Sequence, residues 1–246
     1  MEQMSVAAVQ MNSIVGDIEH NLNSMKKWVE TASEQNIDLI CFPEMCITGY
    51  AMPQSIEFSE TMCGDSVRYI LEMSRDFNIA ISAGISEKYD DRAYITQFIA
   101  EDGVLKGKYR KTHLGEKEKL YYAAGNSIET IKCKNANIGF QICWESHFPE
   151  ISSVLALNNA DIILMPHSSG LPPNRRKDVW DKCLRARAYD NTVYVVACNQ
   201  LGDNGLGTVF GGGCTAIDPR GDILAEDYNS KDSMIAVNIT PEILDK

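Results

Sequence analysis

The sequence has few of the features that mark membrane-spanning or nucleic-acid-binding proteins. Its 246 residues include 23 Lys and Arg against 34 Asp and Glu, a net charge of −11 that repels phosphate backbones and anionic lipid headgroups. Its longest apolar runs, such as Val193 to Cys198, are the length of a strand, whereas a bilayer-spanning helix needs about 20 residues. We therefore expect no nucleic acid and no membrane as a partner.

Targeting, metal and serine-hydrolase signals are also missing. Met1 to Met4 contain no positive region ahead of an apolar stretch, and no small-residue cleavage site is present, so we expect a cytoplasmic protein. None of the eight cysteines forms a Cys-x-x-Cys pair, and His147 and His167 fall in different predicted loops, so we expect free thiols and no metal site. Without a Gly-x-Ser-x-Gly elbow, a serine hydrolase has no obvious nucleophile.

Strand and helix patterns alternate along the whole chain, with no linker or low-complexity tract. Ser5 to Gln10 predicts a first strand, Asp17 caps an amphipathic helix, and Asp38 to Phe42 predicts a second, buried strand. This order predicts an α/β fold with a covered sheet, in a single domain over residues 1–246. The later predictions are helices at Ser66–Phe77, Pro149–Leu157 and Arg175–Asp190, strands at Ile79–Ser86, Ala136–Ile142, Asp161–Met165 and Val193–Cys198, a hairpin at Tyr94–Tyr109 turning at Asp102-Gly103, and short strands after Gly211.

Two strand ends share a pattern, Asp38-Leu-Ile-Cys-Phe-Pro-Glu44 and Asp161-Ile-Ile-Leu-Met-Pro-His167. A proline closes each strand, and a polar residue follows at the carboxyl end, where open α/β sheets bind ligands. Chance similarity between two buried strands explains the pattern equally well. The pattern nevertheless predicts that Glu44 and His167 lie on the same rim of the sheet.

Three residues that follow predicted strands have complementary chemistry. Cys143 lies where a strand turns into a helix, a geometry that exposes a nucleophile near backbone N–H groups. Glu44 follows an apolar strand and could act as a general base, and Lys111 could supply a cation. Taken singly, a packed thiol, a solvated carboxylate and a surface lysine are the commoner interpretations. Together the three supply a nucleophile, a base and a positive charge.

The motifs around these residues resemble those of the carbon-nitrogen hydrolases of the nitrilase superfamily. They are, in order, Phe42-Pro43-Glu44, Tyr109-Arg110-Lys111-Thr112-His113-Leu114 and Gly139-Phe-Gln-Ile142-Cys143, and the resemblance extends to Asp218-Pro219-Arg220-Gly221. It implies a four-layer α-β-β-α sandwich and chemistry that needs no metal or organic cofactor. Members of the family commonly pair through a late helix and the tail, so the resemblance also implies a homodimer or a larger homo-oligomer.

The resemblance also implies a role for each residue of the triad. Cys143 would attack the substrate carbon while Glu44 accepts the thiol proton. Lys111 and the backbone N–H of Trp144 would stabilise the oxyanion, and a thioester would form and then be hydrolysed.

Further site residues are expected around this triad. A second family glutamate matches Glu118, although Ala124 replaces the usual proline of that motif and Glu116 is a neighbouring competitor. Glu145 and His167 are expected with Trp144 near the substrate or the oxyanion.

The substrate class is less sharply indicated. Cys143-Trp144-Glu145 resembles the true nitrilases, whereas many amidases carry Cys-Tyr-Asp. The chain ends soon after Pro241, and Tyr121-Tyr122-Ala-Ala-Gly125 and Phe148-Pro149-Glu150 look like amidase segments, so we expect an amidase acting on a small linear amide. A nitrilase, an N-carbamoyl amidohydrolase and a non-catalytic domain that binds a metabolite or a partner protein stay alternatives.

The predicted helix from Arg175 carries two further features. Arg175 and Arg176 either bind a substrate carboxylate or form a solvated pair at the start of the helix. Trp180 and Tyr189 have the spacing of core residues.

Overall fold

Two six-stranded sheets and four helices make up the computed structural model, which describes residues 2–241. Met1 and residues 242–246, which the predicted single domain includes, lie outside the described residues. The elements in chain order are β1 (Met4–Gln10), α1 (Ile18–Glu34), β2 (Leu39–Cys41), α2 (Asp65–Asp76), β3 (Ala80–Tyr89), β4 (Arg92–Glu101), β5 (Val104–Arg110), β6 (Ile131–Cys133), β7 (Ala136–Phe140), α3 (Pro149–Leu157), β8 (Ile162–His167), α4 (Pro173–Asn191), β9 (Tyr194–Asn199), β10 (Leu201–Asp203), β11 (Val209–Gly211), β12 (Cys214–Ile217), β13 (Ile223–Asp227) and β14 (Ser233–Ile239).

Each sheet has parallel strands at its centre. The first sheet has the order β14-β1-β2-β3-β4-β5, in which β1, β2 and β3 are parallel. The second has the order β13-β12-β9-β8-β7-β6, in which β7, β8 and β9 are parallel. The strands β10 and β11 form a separate hairpin.

Strand alternation sorts the apolar side chains into three layers of core. In β1, Val6 and Ala8 face the other sheet, whereas Ala7 and Val9 pack with helices α1 and α2. In β8, Ile162 and Leu164 face the first sheet, whereas Ile163 and Met165 pack with α3 and α4. Because successive side chains of a strand point to opposite faces, two sheets covered on both sides produce a helix-sheet-sheet-helix sandwich. The fold class predicted from the resemblance is confirmed.

Most of the predicted elements are confirmed within a few residues. The Asp17 side chain accepts a hydrogen bond from the His20 N–H at 3.1 Å and caps α1. Asp102 and Gly103 turn the β4–β5 hairpin with φ angles of 53° and 77°. The short strands β6 and β10 were not predicted, because three residues give too little alternation to recognise. No helix within residues 2–241 is long and apolar enough to cross a membrane.

One prediction about the core of α4 is wrong. Trp180 is buried as expected, but Tyr189 is 62% exposed. The buried residues of α4 are Arg176, Trp180, Leu184 and Ala188, a stripe with a spacing of four. Tyr189 follows the last member of this stripe directly and is therefore turned about 100° away from it around the helix axis.

Candidate active site

A lysine and two glutamates meet in the interior at the carboxyl ends of the strands. Lys111 follows β5, Glu44 follows β2, and Glu118 begins a short 3₁₀ turn. The Lys111 Nζ donates hydrogen bonds to Glu44 Oε1 and to Glu118 Oε1, each at 2.8 Å. All three side chains are almost completely buried. Burying an ammonium and two carboxylates costs desolvation free energy. The cluster therefore indicates a functional site more strongly than a contribution to stability.

Cys143 lies beside this cluster on a turn with an unusual backbone. It begins a 3₁₀ turn, Cys143–His147, and has a φ of 50°, in the left-handed region that favours glycine. Cys143 is half-buried and borders a cavity of about 450 Å³, and its thiol is close enough to Glu44 and Lys111 to interact with their charges. A strained residue at the top of a strand is a typical position for a nucleophile, and the predicted elbow is present.

The two sheets are joined at Glu44. Ser168, the residue after β8, donates its backbone N–H to Glu44 Oε2 at 2.9 Å and its hydroxyl to the Glu44 carbonyl oxygen at 2.7 Å. The same hydroxyl is 3.1 Å from Gln200 Oε1. The strand ends after β2 and β8 therefore do meet on one rim, but the contact is made by Ser168 and not by His167.

His167 lies behind the rim instead of in the cavity. It is buried, its Nδ1 is 2.8 Å from the Met165 carbonyl oxygen, and its Nε2 accepts a hydrogen bond from the Trp180 indole at 3.3 Å. It ends β8, so strand alternation places its side chain on the α4 face. Ser168 was not among the predicted site residues. It comes one residue after His167, so its side chain points to the opposite face, toward the first sheet.

Glu118 is held from two sides, and Glu116 is not part of the cluster. The Tyr50 hydroxyl donates to Glu118 Oε1 at 2.7 Å, and the Gly115 N–H donates to Oε2 at 2.6 Å. The Glu116 carboxylate is exposed and pairs with Lys119 at 2.8 Å. The structure thus brings Glu118 to Lys111 and leaves Glu116 at the mouth of the cavity. The role of Tyr50 does not follow from the sequence, because a tyrosine after Thr48-Gly49 carries no chemical signal of its own.

Burial and charge set the protonation states of the cluster. Burial raises the pKa of Glu44 to about 7, opposed by the charge of Lys111 and assisted by that of Glu118. Burial disfavours the charged form of Lys111, but Glu44, Cys143 and Glu118 outweigh it and raise the pKa of the ammonium. Burial also acts to raise the pKa of Glu118, but Lys111, Tyr50 and Gly115 lower it. Near neutral pH, Lys111 is a cation, Glu118 is ionised, and Glu44 can take up and release a proton.

The thiol of Cys143 is protonated in the resting site. Burial and the charge of Glu44 raise its pKa to about 12, although Lys111 acts in the opposite direction. A thiol of this kind becomes nucleophilic only when a base removes its proton during attack. Glu44, whose charge interacts with the Cys143 thiol and whose raised pKa suits a proton acceptor, is the neighbouring base.

Glu145 lies beneath the Cys143 turn and does not border the cavity. Its Oε1 accepts hydrogen bonds from the Tyr109 hydroxyl, the Thr112 N–H and the Thr112 hydroxyl, each at 2.7 Å, and from the His113 N–H at 3.1 Å. Its Oε2 accepts from the Ile142 N–H at 2.7 Å. One buried carboxylate therefore ties the segment after Lys111 to the turn that carries Cys143.

The remaining predicted residues divide between the cavity and the protein interior. Trp144 borders the cavity and is 47% exposed. Arg175 is a solvated surface residue, and its Nη1 lies 3.7 Å from Asp178 Oδ2. Arg176 is buried with its guanidinium 5.1 Å from the centre of the Trp180 ring, and its Nε and Nη2 have no hydrogen-bond partner among residues 2–241. The expected solvated pair is therefore correct for Arg175 and wrong for Arg176.

The eight cysteines are unpaired thiols. The sulfurs of Cys41 and Cys198 lie 3.8 Å apart in the core and are not bonded to each other. Across residues 2–241, no three His, Cys, Asp or Glu side chains are grouped as metal ligands would be. Cys143 differs from the other seven thiols in lying beside Glu44 and Lys111.

Comparison with known proteins agrees with this geometry. The carbon-nitrogen hydrolase family model matches residues 5–244. The chain is 29% identical over 243 residues to a probable nitrilase of Schizosaccharomyces pombe, covering 96% of this chain and 88% of that protein. It is 28% identical over 224 residues to an (R)-stereoselective amidase of Pseudomonas sp, covering 91% and 80%. A variant of the amidase from Nesterenkonia sp. AN1 in complex with butyramide has a similar fold, with a TM-score of 0.87 and 25% identity over 98% of this chain and 92% of that one. The chain therefore belongs to the carbon-nitrogen hydrolase family and is a hydrolase of carbon–nitrogen bonds other than peptide bonds.

Proposed function

We propose that the protein is an amidase that hydrolyses linear amides to a carboxylic acid and ammonia through a thioester on Cys143. The observation that carries this proposal is the contact of Lys111 with both Glu44 and Glu118, next to the Cys143 thiol. This arrangement supplies a base, a fixed cation and a nucleophile beside one cavity.

In the first step, the Cys143 sulfur forms a bond to the amide carbon while the thiol proton passes to Glu44. The carbonyl oxygen gains the electron pair of its π bond, and Lys111 Nζ and the Trp144 N–H stabilise the negative charge. One preorganised donor of this kind typically lowers the barrier by about 2.7–4 kcal/mol. Glu118 holds Lys111 in its cationic, oriented form.

In the second step, the carbonyl re-forms and the carbon–nitrogen bond breaks. Glu44 returns its proton to the departing nitrogen, so ammonia leaves and a thioester stays on Cys143. Water then attacks the thioester while Glu44 takes one of its protons. The carbon–sulfur bond breaks, sulfur recovers the proton, and the carboxylic acid is released.

An amide is favoured over a nitrile by two relatives. One is the Pseudomonas amidase, and the other is the Nesterenkonia amidase, whose variant holds butyramide. Nitrile hydrolysis is the second candidate, because Trp144 and Glu145 follow the nucleophile as in true nitrilases and because the S. pombe relative is a probable nitrilase.

The test is ammonia release by the purified protein from acetamide, propionamide and butyramide, from the matching nitriles and from N-carbamoyl compounds. We expect the amides to be consumed fastest. Cys143→Ala should abolish release, whereas Cys63→Ala, which removes an exposed thiol, should leave it unchanged. A nitrile consumed faster than its amide would reverse the ranking, and full turnover by Cys143→Ala would refute the mechanism.

We also propose a homodimer or larger homo-oligomer of single-domain chains, working in the cytoplasm. Exposed apolar side chains on α3 and α4, namely Leu157 and Tyr189, support pairing through this face. Light scattering of the purified protein tests the assembly. A single cooperative melting transition is expected for one domain.

A further inference from the structure

The cavity that Cys143 borders adjoins a second, larger one. Gly170 borders both the catalytic cavity of about 450 Å³ and a neighbouring cavity of about 620 Å³, here called the distal cavity. A water molecule takes about 30 Å³ in the liquid, so butyramide, with six heavy atoms, needs about 180 Å³ and leaves more than half of the catalytic cavity empty. The two cavities together have room for a substrate larger than butyramide.

The walls of the distal cavity are mainly apolar. Next to Gly170, the lining includes Pro172 and Pro173 from the start of α4, Leu201 from β10, and Val209 and Phe210 from β11. The polar lining lies in other segments, at Asn12 and at Ser230, Lys231 and Asp232. A concave apolar surface with few polar groups is typical of a site that binds a hydrocarbon group.

The hairpin β10–β11 is fixed to the catalytic residues. The side chain of Asn204, between the two strands, donates a hydrogen bond to the Tyr50 carbonyl oxygen at 3.0 Å. The Phe210 ring meets the Tyr50 ring edge to face, with 6.2 Å between their centres. Tyr50 in turn holds Glu118 through its hydroxyl. The distal wall and the catalytic cluster therefore form one connected, preorganised structure.

Apolar side chains near the distal cavity are exposed to solvent. Val209 is 62% exposed, Leu206 in the hairpin loop 54%, and Leu171 beside Gly170 38%. Exposed apolar residues grouped at the edge of a cavity mark a binding surface, whereas scattered ones do not.

Glycine at position 170 leaves free space on the wall that the two cavities share. A Cβ atom there would lie 3.3 Å from the Val209 carbonyl oxygen, with no other heavy atom of residues 2–241 within 4 Å. A longer side chain would fill part of the space between the two cavities. The backbone of Gly170 does not have a positive φ, so its conformation does not by itself require glycine.

We propose that the distal cavity is a subsite for the acyl chain, so that the preferred substrates are amides of long-chain aliphatic or aryl-substituted acids. Because ammonia is the leaving group in the proposed function, on which this inference rests, the extended group belongs to the acyl side. The carboxamide lies at Cys143, and the hydrocarbon chain passes Gly170 and packs against Val209 and Phe210.

The test is kcat/KM for a series of unbranched amides from propionamide to octanamide, with 4-phenylbutyramide. We expect kcat/KM to rise about two- to fourfold for each methylene that enters the distal cavity, as partial to full burial of a methylene predicts. Val209→Trp should remove the gain for octanamide and lower kcat/KM for propionamide much less. Val104→Trp, at an equally exposed strand valine at the far end of β5, is the matched control.

Two outcomes overturn the subsite: a kcat/KM that is flat or falling beyond butyramide, or a Val209→Trp variant that affects short and long amides equally. Turnover of no amide at all refutes the proposed function instead. In that case, calorimetric binding of octanamide and propionamide to Cys143→Ala still tests the distal cavity. Octanamide should bind at least tenfold more tightly, and equal affinity refutes the subsite.

Discussion

Replacing Glu145 by glutamine should weaken both the fold and the reaction, although this side chain does not border the cavity. Glu145 Oε1 accepts four hydrogen bonds and Oε2 accepts one, all from the two segments that carry Lys111 and Cys143. Every partner of the carboxylate acts as a donor. Glutamine offers one oxygen and one NH₂ group, and the NH₂ group must face a donor in either orientation.

The magnitude follows from the number of donors affected. With the glutamine oxygen in place of Oε1, the buried Ile142 N–H loses its acceptor, which costs about 1–3 kcal/mol. The four bonds that stay also lose the strength that a charged acceptor gives them. We expect Glu145→Gln to lower the free energy of unfolding by about 2–4 kcal/mol. We also expect kcat to fall at least tenfold, because a displacement of about 1 Å in a reacting group can cost 10²-fold.

Urea denaturation gives the stability change, and steady-state ammonia release gives kcat and KM. Glu129→Gln removes an exposed carboxylate and should change neither quantity measurably. A purely structural role of Glu145 predicts loss of folded enzyme with normal kcat per folded molecule. A Glu145→Gln variant with wild-type stability and wild-type kcat would show that the carboxylate does not hold Lys111 against Cys143.

Three further predictions concern the catalytic cluster. Because burial raises the pKa of Glu44 to about 7 and the base must be ionised to accept the thiol proton, kcat/KM should fall about tenfold per pH unit below that value, in a pH–rate profile. Lys111→Met should leave the carboxylates of Glu44 and Glu118 buried without their cation. We expect the free energy of unfolding in urea denaturation to fall by about 3–5 kcal/mol and kcat to fall at least 100-fold. Ser168→Ala keeps the backbone hydrogen bond to Glu44 but removes the hydroxyl that bridges the Glu44 carbonyl oxygen and Gln200. We expect it to lower the free energy of unfolding, measured by urea denaturation, by about 1–2 kcal/mol and to change kcat less than Lys111→Met does.

The sequence predicts the layers of the fold well because burial on both faces leaves a clear pattern. The apolar strands at Asp38–Phe42 and Asp161–Met165 and the amphipathic helix after Asp17 follow from periodicity alone. The stacking of two such sheets does not follow from periodicity, because a buried strand has the same pattern whether a sheet or a helix covers it. That part of the prediction came from the family resemblance.

The directions of individual side chains were harder to predict. His167 was expected near the substrate, but β8 runs through it, so its side chain alternates to the α4 face with Met165. Strand alternation could have identified Ser168 instead, had the end of the strand been known. Glu145 could not be placed in this way, because the left-handed Cys143 begins a 3₁₀ turn and strand alternation ends there.

The nucleophile can be tested most directly by trapping the acyl-enzyme. The protein is mixed with an amide substrate, quenched in acid within milliseconds and examined by intact-protein mass spectrometry and peptide mapping. We predict a mass increase equal to the acyl group, without the amide nitrogen, on the peptide that contains Cys143, and the same result in Cys63→Ala. An acyl group on any other residue, or an amidase activity that survives Cys143→Ala, would contradict the assignment of Cys143 as the nucleophile.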